Sequence, residues 1–301
     1  MLRNKTIVNT SIYFQTLLKA NAFCQLLKFR LSSLVVFSAA MGYMLGSGRS
    51  VDWAHFVIFL TGGFLITGAA NIINQILEHD SDKLMKRTAN RPLPSGRLSI
   101  KEALVFMVII GFTGIFLLLF YINSLCAVLS VLSLILYAFA YTPLKRITSF
   151  SVFVGAVPGA LPPMIGWAAI TGGIGIEAII LFGIQFIWQF PHFWAIAWVL
   201  DDDYNRAGFR LLPAGGKRDL NTAFQIMIYT LVLIPLSLVP AALGMTGIKS
   251  AIIVVICGVL FLMQAFYLMK TCSEKAARQM MFGSFFYLPI VQIAFVLDKT
   301  L

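Results

Sequence analysis

The sequence predicts an all-α, polytopic membrane protein, with nine transmembrane helices around a central cavity that opens toward the cytoplasmic side. Three observations carry that prediction. Hydrophobic residues make up 59% of the 301 and charged residues only 12%, against about 25% charged in soluble globular chains; the mean hydropathy is +0.87. Nine apolar segments reach the roughly 20 residues that a helical span requires. With nine spans threaded, 20 of the 23 Lys and Arg residues fall on one side, and only Arg49, Lys249 and Lys299 on the other. By the positive-inside rule, that side is cytoplasmic and holds the N-terminus.

Taken in order, residues 1–29 form an arm that contains no acidic residue and suits a membrane-surface helix. It also bears a weak resemblance to an organellar transit peptide. Residues 30–301 form one nine-helix domain. Its spans lie near 30–47, 54–76, 102–122, 124–141, 150–171, 175–198, 222–242, 248–269 and 277–297. The third and fourth abut at Asn123-Ser124. The fifth carries Gly155, Pro158, Gly159, Pro162, Pro163 and Gly166. Missing N–H groups and small residues predict a kinked or unwound segment lining a cavity, or close helix packing, or both. Ten-residue segments of alternating polarity are absent, which argues against a β-barrel.

The net charge of +11 is accounted for by topology and anionic membrane lipid, so it calls for no nucleic acid. Cys24, Cys126, Cys257 and Cys272 show no metal-ligand spacing. Three of them fall in or beside spans, where Cys serves as a small apolar filler.

Function is concentrated in two long loops on the cytoplasmic side, 77–101 and 199–221. Each opens with acidic residues at a helix end and continues into basic ones. In the first, Asn74, Glu78 and Asp82 are spaced four apart, so a continuing helix puts them on one face with a drift of roughly 40° per step. Oxygen ligands at a membrane's edge are costly without a cation, and Mg2+ takes such ligands while also holding phosphate. Arg87 and Arg91 follow, with planar donor forks that match phosphate oxygens. The second loop offers Asp201, Asp202 and Asp203, then Arg206, Arg210, Lys217 and Arg218. The pair reads as a pseudo-repeat converging on one pocket that handles a diphosphate.

The same residues carry a resemblance. Asn74 to Asp82 followed by Lys86-Arg87-Thr88-Ala89-Asn90-Arg91-Pro92-Leu93-Pro94-Ser95-Gly96, then Tyr141-Thr142-Pro143-Leu144-Lys145-Arg146-Ile147-Thr148, is similar to two motifs of the UbiA-type intramembrane prenyltransferases, in their protohaem IX farnesyltransferase branch. The stretch from Gly155 to Trp167, Trp188-Gln189-Phe190-Pro191-His192-Phe193-Trp194, and Asp203-Tyr204-Asn205-Arg206-Ala207-Gly208 resemble three more, in the family's order.

The resemblance implies transfer of a farnesyl group from farnesyl diphosphate to haem B, with addition of water, giving haem O and diphosphate. Mg2+ is the implied cofactor. Asn74, Glu78, Asp82 and Asp203 are the implied catalytic residues, with Asp202 joining them around the metal. Lys28, Arg30, Arg87, Arg91, Lys145 and Arg146 are expected on the diphosphate, and His192, Trp188 and Trp194 at the haem. Trp167 and Trp198 are further candidates for the pocket wall, and membrane-interface anchoring accounts equally well for Trp198. Expected partners are farnesyl diphosphate, haem B, membrane lipid, and haem A synthase or terminal-oxidase assembly factors. The expected location is a bacterial inner membrane, the other reading being the mitochondrial inner membrane.

Three departures stand out. Glu78 replaces the common Asp, and Lys28-Phe29-Arg30 lacks the family's central Pro. The wider superfamily's DxxxD is absent from the second loop, where its outer positions are Leu200 and Tyr204 and the Asp203-Tyr204 pair of the haem branch stands instead. Two other functions stay open on the residues alone. One is a prenyltransferase with an aromatic or quinone-precursor acceptor. The other is a transporter or a non-catalytic haem-handling protein. Against the latter, the acidic residues sit at one membrane face and not at the midplane.

Overall fold

The computed structural model describes residues 17–48, 50–213 and 215–300. Arg3, Lys5 and Arg49 of the charge count, and most of the N-terminal arm, lie outside these. Among the described residues, nine helices are long and apolar enough to cross a membrane: α1 Phe29–Gly46, α2 Trp53–Leu77, α3 Ile100–Tyr121, α4 Ser124–Leu144, α5 Ser151–Thr171, α6 Ile176–Val199, α7 Leu220–Ala242, α8 Ile248–Thr271 and α9 Glu274–Leu297. The chain is a multi-pass, all-α membrane protein.

Local chemistry sets the boundaries. Asp52 caps α2 by accepting from the amides of Ala54 and His55. Ser99 and Glu102 form a reciprocal capping box at α3. Asp219 and Ser273 cap α7 and α9. Each supplies an acceptor for N–H groups that a helix start leaves unpaired. The break at Asn123 is held on both sides. Its side-chain oxygen accepts from the Cys126 amide, and its Nδ2 donates to the carbonyls of Ala168 and Ala169 on α5, at 2.9 and 3.1 Å. At Phe29, where the family's Pro is missing, α1 still begins, with Lys28 in the left-handed region (φ 46°) as its N-cap.

α5 is the most buried span and packs on α1, α4 and α6. Glycines allow the approach to α1: a methyl at Gly42 would sit on the Pro163 carbonyl, and one at Gly166 on the Ala39 carbonyl. The expectation of close packing through small residues therefore holds, and that of an unwound segment does not. α5 runs as a helix through all three prolines. Pro162 cannot donate to the Pro158 carbonyl, and Ser133 Oγ does so instead at 3.2 Å. Pro163 cannot donate to the Gly159 carbonyl, and Gln185 Nε2 does so at 2.7 Å. Donors from α4 and α6 thus replace the missing N–H groups, as an apolar environment demands.

Buried polar contacts also join the first and last spans. Gln292 Nε2 on α9 donates to Ser38 Oγ on α1 (2.5 Å) and to Gln185 Oε1 on α6 (3.0 Å). At one end of the bundle, Lys299 Nζ donates to the carbonyls of Met44, Ser47 and Gly48. The two basic, acid-headed loops lie at the other end. Phe112, Phe116 and Phe120 on α3, and Ile252, Ile256 and Leu260 on α8, are exposed, as lipid-facing surfaces should be.

Candidate active site

The Asn74–Glu78–Asp82 ladder survives the end of α2. Glu78 is the C-cap, and the short helix His79–Leu84 follows. The helical hydrogen bonds nevertheless run through it, from the Glu78 amide to the Asn74 carbonyl (2.9 Å) and from the Asp82 amide to the Glu78 carbonyl (2.7 Å). All three side chains line one cavity of about 590 Å³. They are almost wholly enclosed, with Glu78 5% and Asp82 0% exposed.

Each of the three meets a basic side chain. Lys28 Nζ donates to Asn74 Oδ1 at 3.0 Å. Glu78 is ion-paired with Lys145. Arg91 Nη1 donates to Asp82 Oδ2 at 2.8 Å. Burial pushes the Lys28 ammonium down to about 7, and repulsion from Arg91 adds to the shift. Lys145 also lies over the rings of Tyr141 and Phe209, at 4.8 and 5.2 Å from their centroids, a favourable place for a desolvated cation.

A π-helical turn, Leu136–Tyr141, precedes Lys145 inside α4. Such turns commonly mark functional sites. Here Tyr137, Tyr141 and Lys145 share one face of the span and line the cavity together. Asn74 Nδ2 donates to Thr142 Oγ1 at 3.2 Å, tying α2 to this segment.

The second loop does not bring its expected carboxylates to the cavity wall. Asp203 accepts from the backbone amides of Lys86 and Arg87, both at 3.3 Å, and pairs with Arg206 at 3.2 Å. Its work is to hold the first loop's turn, whose Arg87 and Arg91 then face the cavity. Tyr204 and Phe209 line the cavity instead, and burial pushes the Tyr204 hydroxyl up from its ordinary value. Asp202 points outward, 79% exposed, against Arg218 at 3.3 Å. Asp201 pairs with the same arginine at 3.5 Å. The two acidic clusters converge, but through a carboxylate–amide clasp.

Three further expected contacts fall outside the cavity. Arg30 is exposed. Arg146 donates to Ser81 Oγ and does not line the cavity. Trp194 is buried in the core, 5.4 Å from Phe190 and 5.2 Å from Tyr229 between ring centroids. Trp198 is fully buried, so it is no interfacial anchor; Trp167 is buried too and lies off the cavity wall. Trp188 and His192 do line the cavity. Their rings stack at 4.3 Å with an 18° tilt.

Sequence reasoning missed Gln185, Gln189 and Gln292 on the cavity wall. The signal was present. Gln185, Gln189 and His192 recur at i, i+4 and i+7 in an otherwise apolar span, which marks one helix face.

The arrangement is legible as chemistry. Among lining side chains, four are basic (Lys28, Arg87, Arg91, Lys145) and two acidic (Glu78, Asp82), a balance that favours a multiply charged anion. Beyond them the wall is largely apolar and aromatic. Among the described residues no three His, Cys, Asp or Glu side chains gather closely enough to hold a metal by themselves. Asp82 Oδ1, however, is buried with no hydrogen-bond partner, beside Glu78 and Asn74. These hard oxygen donors fit Mg2+ held jointly with phosphate.

A family model described as the UbiA prenyltransferase family matches residues 35–288. The chain belongs to that family. It is 56% identical to a protoheme IX farnesyltransferase of Cytophaga hutchinsonii, covering 92% of this chain and 97% of that one. It is 46% identical to another from Flavobacterium psychrophilum, covering 93% and 95%. Among solved structures, a digeranylgeranylglyceryl phosphate synthase superposes with a TM-score of 0.77 at 21% identity, covering 93% and 98%. A UbiA homolog from Archaeoglobus fulgidus bound to GPP and Mg2+ superposes with a TM-score of 0.66 at 13% identity, covering 92% and 99%. These two likenesses establish the fold.

Proposed function

We propose that this UbiA-family chain transfers the farnesyl group of farnesyl diphosphate to a vinyl carbon of haem B, with addition of water, giving haem O and diphosphate. The single observation that carries the reading is the cavity itself. Four basic and two acidic side chains crowd one end of an apolar, aromatic-lined space, in a chain 56% identical to a protoheme IX farnesyltransferase.

Lys28, Arg87, Arg91 and Lys145 bind the diphosphate. Asn74, Glu78 and Asp82 would hold Mg2+, which when bound would supply charge neutralisation that makes diphosphate a better leaving group. Asp203 acts one step back, by fixing the amides of Lys86 and Arg87. The farnesyl chain runs along the apolar wall. Once its C1–O bond breaks, the low-dielectric cavity keeps bulk water from the allylic cation. The stacked Trp188–His192 pair gives a flat wall for the porphyrin. The charged end faces the cytoplasm of a bacterial inner membrane.

The test is an assay of purified protein with Mg2+ and farnesyl diphosphate, offered either haem B or 4-hydroxybenzoate. Farnesylated haem is expected; prenylation of the benzoate alone would sink the reading.

A further inference from the structure

Among the described residues, Gln189 Oε1 and His192 Nε2 on the cavity wall accept no hydrogen bond from the protein, and unlike Asp82 Oδ1 and Gln292 Oε1 they are not buried. Gln189 spends its Nε2 on the Ala156 carbonyl of α5 at 3.1 Å, which fixes the amide and leaves Oε1 as an acceptor. His192 is fixed by a chain of bonds. Ser284 Oγ has one hydrogen and donates it to the Met281 carbonyl at 2.6 Å. It must therefore accept from His192 Nδ1–H, 2.8 Å away. That sets the tautomer and leaves Nε2 with a bare lone pair. Among the described residues no protein donor reaches either atom, and neither is sealed in protein. Both residues line the cavity. They sit three apart on α6, a spacing that makes side chains neighbours.

A pair of acceptors in an apolar wall calls for a ligand with two O–H or N–H donors. Water is the smallest, and it leaves its own lone pairs free to face the cavity. We infer that Gln189 Oε1 and His192 Nε2 hold the water that completes the transfer, with His192 as the base that takes its proton.

The inference rests on the farnesyl-transfer reading. Ionisation breaks the C1–O bond and releases diphosphate with the electron pair. The terminal vinyl carbon uses its π-electrons to bond to C1, and the positive charge moves to the vinyl carbon next to the porphyrin ring. The water oxygen gives that carbon a lone pair, forming the C–O bond. One of its protons goes to His192 Nε2, and the other stays on the new hydroxyl, which remains on Gln189 Oε1. Without a held water, the same cation sheds a neighbouring proton and closes to an alkene.

The experiment uses full-length protein with farnesyl diphosphate, haem B and Mg2+ in water enriched in heavy oxygen, with products weighed by mass spectrometry. Wild type should give haem O carrying one heavy oxygen. In His192→Ala the hydroxylated share should fall by about 10²-fold or more, the usual scale for loss of a general base, and an alkene lighter by one water should replace it. Added imidazole should restore the hydroxylated product. Ser284→Ala, which frees the tautomer, should shift the same ratio less, and so should Gln189→Leu. Hydroxylated product at the wild-type share in His192→Ala overturns the inference. So does a changed haem absorption spectrum in that variant with no alkene, since Nε2 would then be a ligand to iron. If His192→Ala fails to fold, an unchanged ratio in both Ser284→Ala and Gln189→Leu overturns it equally. Wild type that farnesylates no haem sinks the proposed function instead, whatever the variants do.

Discussion

Lys145 is ion-paired with Glu78 inside the bundle, with Glu78 5% exposed and Lys145 7%. This contact brings the third basic segment onto the first acidic one. It also means that a charge removed from either partner strands the other in low dielectric. Glu78→Gln should therefore cost stability, about 3–5 kcal/mol, as well as lowering kcat by about 10²-fold or more. Glu78→Asp keeps the charge and should retain activity. Adding Lys145→Met to Glu78→Gln should recover most of the melting temperature and none of the turnover. Thermal unfolding in detergent and a steady-state assay separate the two effects.

Asp203 and Asp202 should part company. Asp202→Asn, at an exposed pair with Arg218, should change stability by well under about 1 kcal/mol and leave turnover near wild type. Asp203→Asn should weaken the clasp on the Lys86 and Arg87 amides and raise KM for farnesyl diphosphate by about 10-fold, a loss near 1.4 kcal/mol. Its Mg2+ concentration dependence should stay put. A large shift in Mg2+ requirement would make Asp203 a metal ligand after all.

Ser133 and Pro162 should be coupled. Ser133→Ala removes the donor to the Pro158 carbonyl and should cost about 1–3 kcal/mol. The Pro162→Ala substitution restores a backbone N–H that can serve that carbonyl, so in its presence the cost of Ser133→Ala should vanish. A double-mutant cycle by urea or thermal unfolding measures the coupling.

Gly42→Ala should destabilise by about 1–3 kcal/mol or more through overpacking, because its methyl would meet the rigid Pro163 carbonyl. Gly63→Ala, with open space around it, should be tolerated. Comparing their melting temperatures tests whether close α1–α5 contact holds the cavity's shape.

The spans were legible because hydrophobicity and length are local properties, and Asn123 marked the hardest boundary correctly. Asn74, Glu78 and Asp82 were legible because a four-residue period survives the break at Glu78. Lys28 and Lys145 reached the cavity as expected, whereas Arg30 and Arg146, each close to one of them in sequence, turned away. Neighbouring charges in a flanking motif look alike in sequence, and only packing decides which points inward. Asp203 misled because an acid-rich loop says nothing of whether a carboxylate meets a metal or a backbone amide. α5 misled for the opposite reason: its prolines break the helix's own bonds, but the donors that repair it come from Ser133 and Gln185 on other spans. Gln185 and Gln189 were visible as a polar stripe and were overlooked because they carry no charge.

The seam between the first and last spans has a consequence for biogenesis. Ser38 and its partner Gln292 are separated by 254 residues, and the carbonyls of Met44, Ser47 and Gly48 await Lys299. During translation α1 enters the bilayer long before α9 exists. The ring of helices can be latched only once α9 and Lys299 have been made, and until then the early spans hold polar groups whose permanent partners have yet to be synthesised.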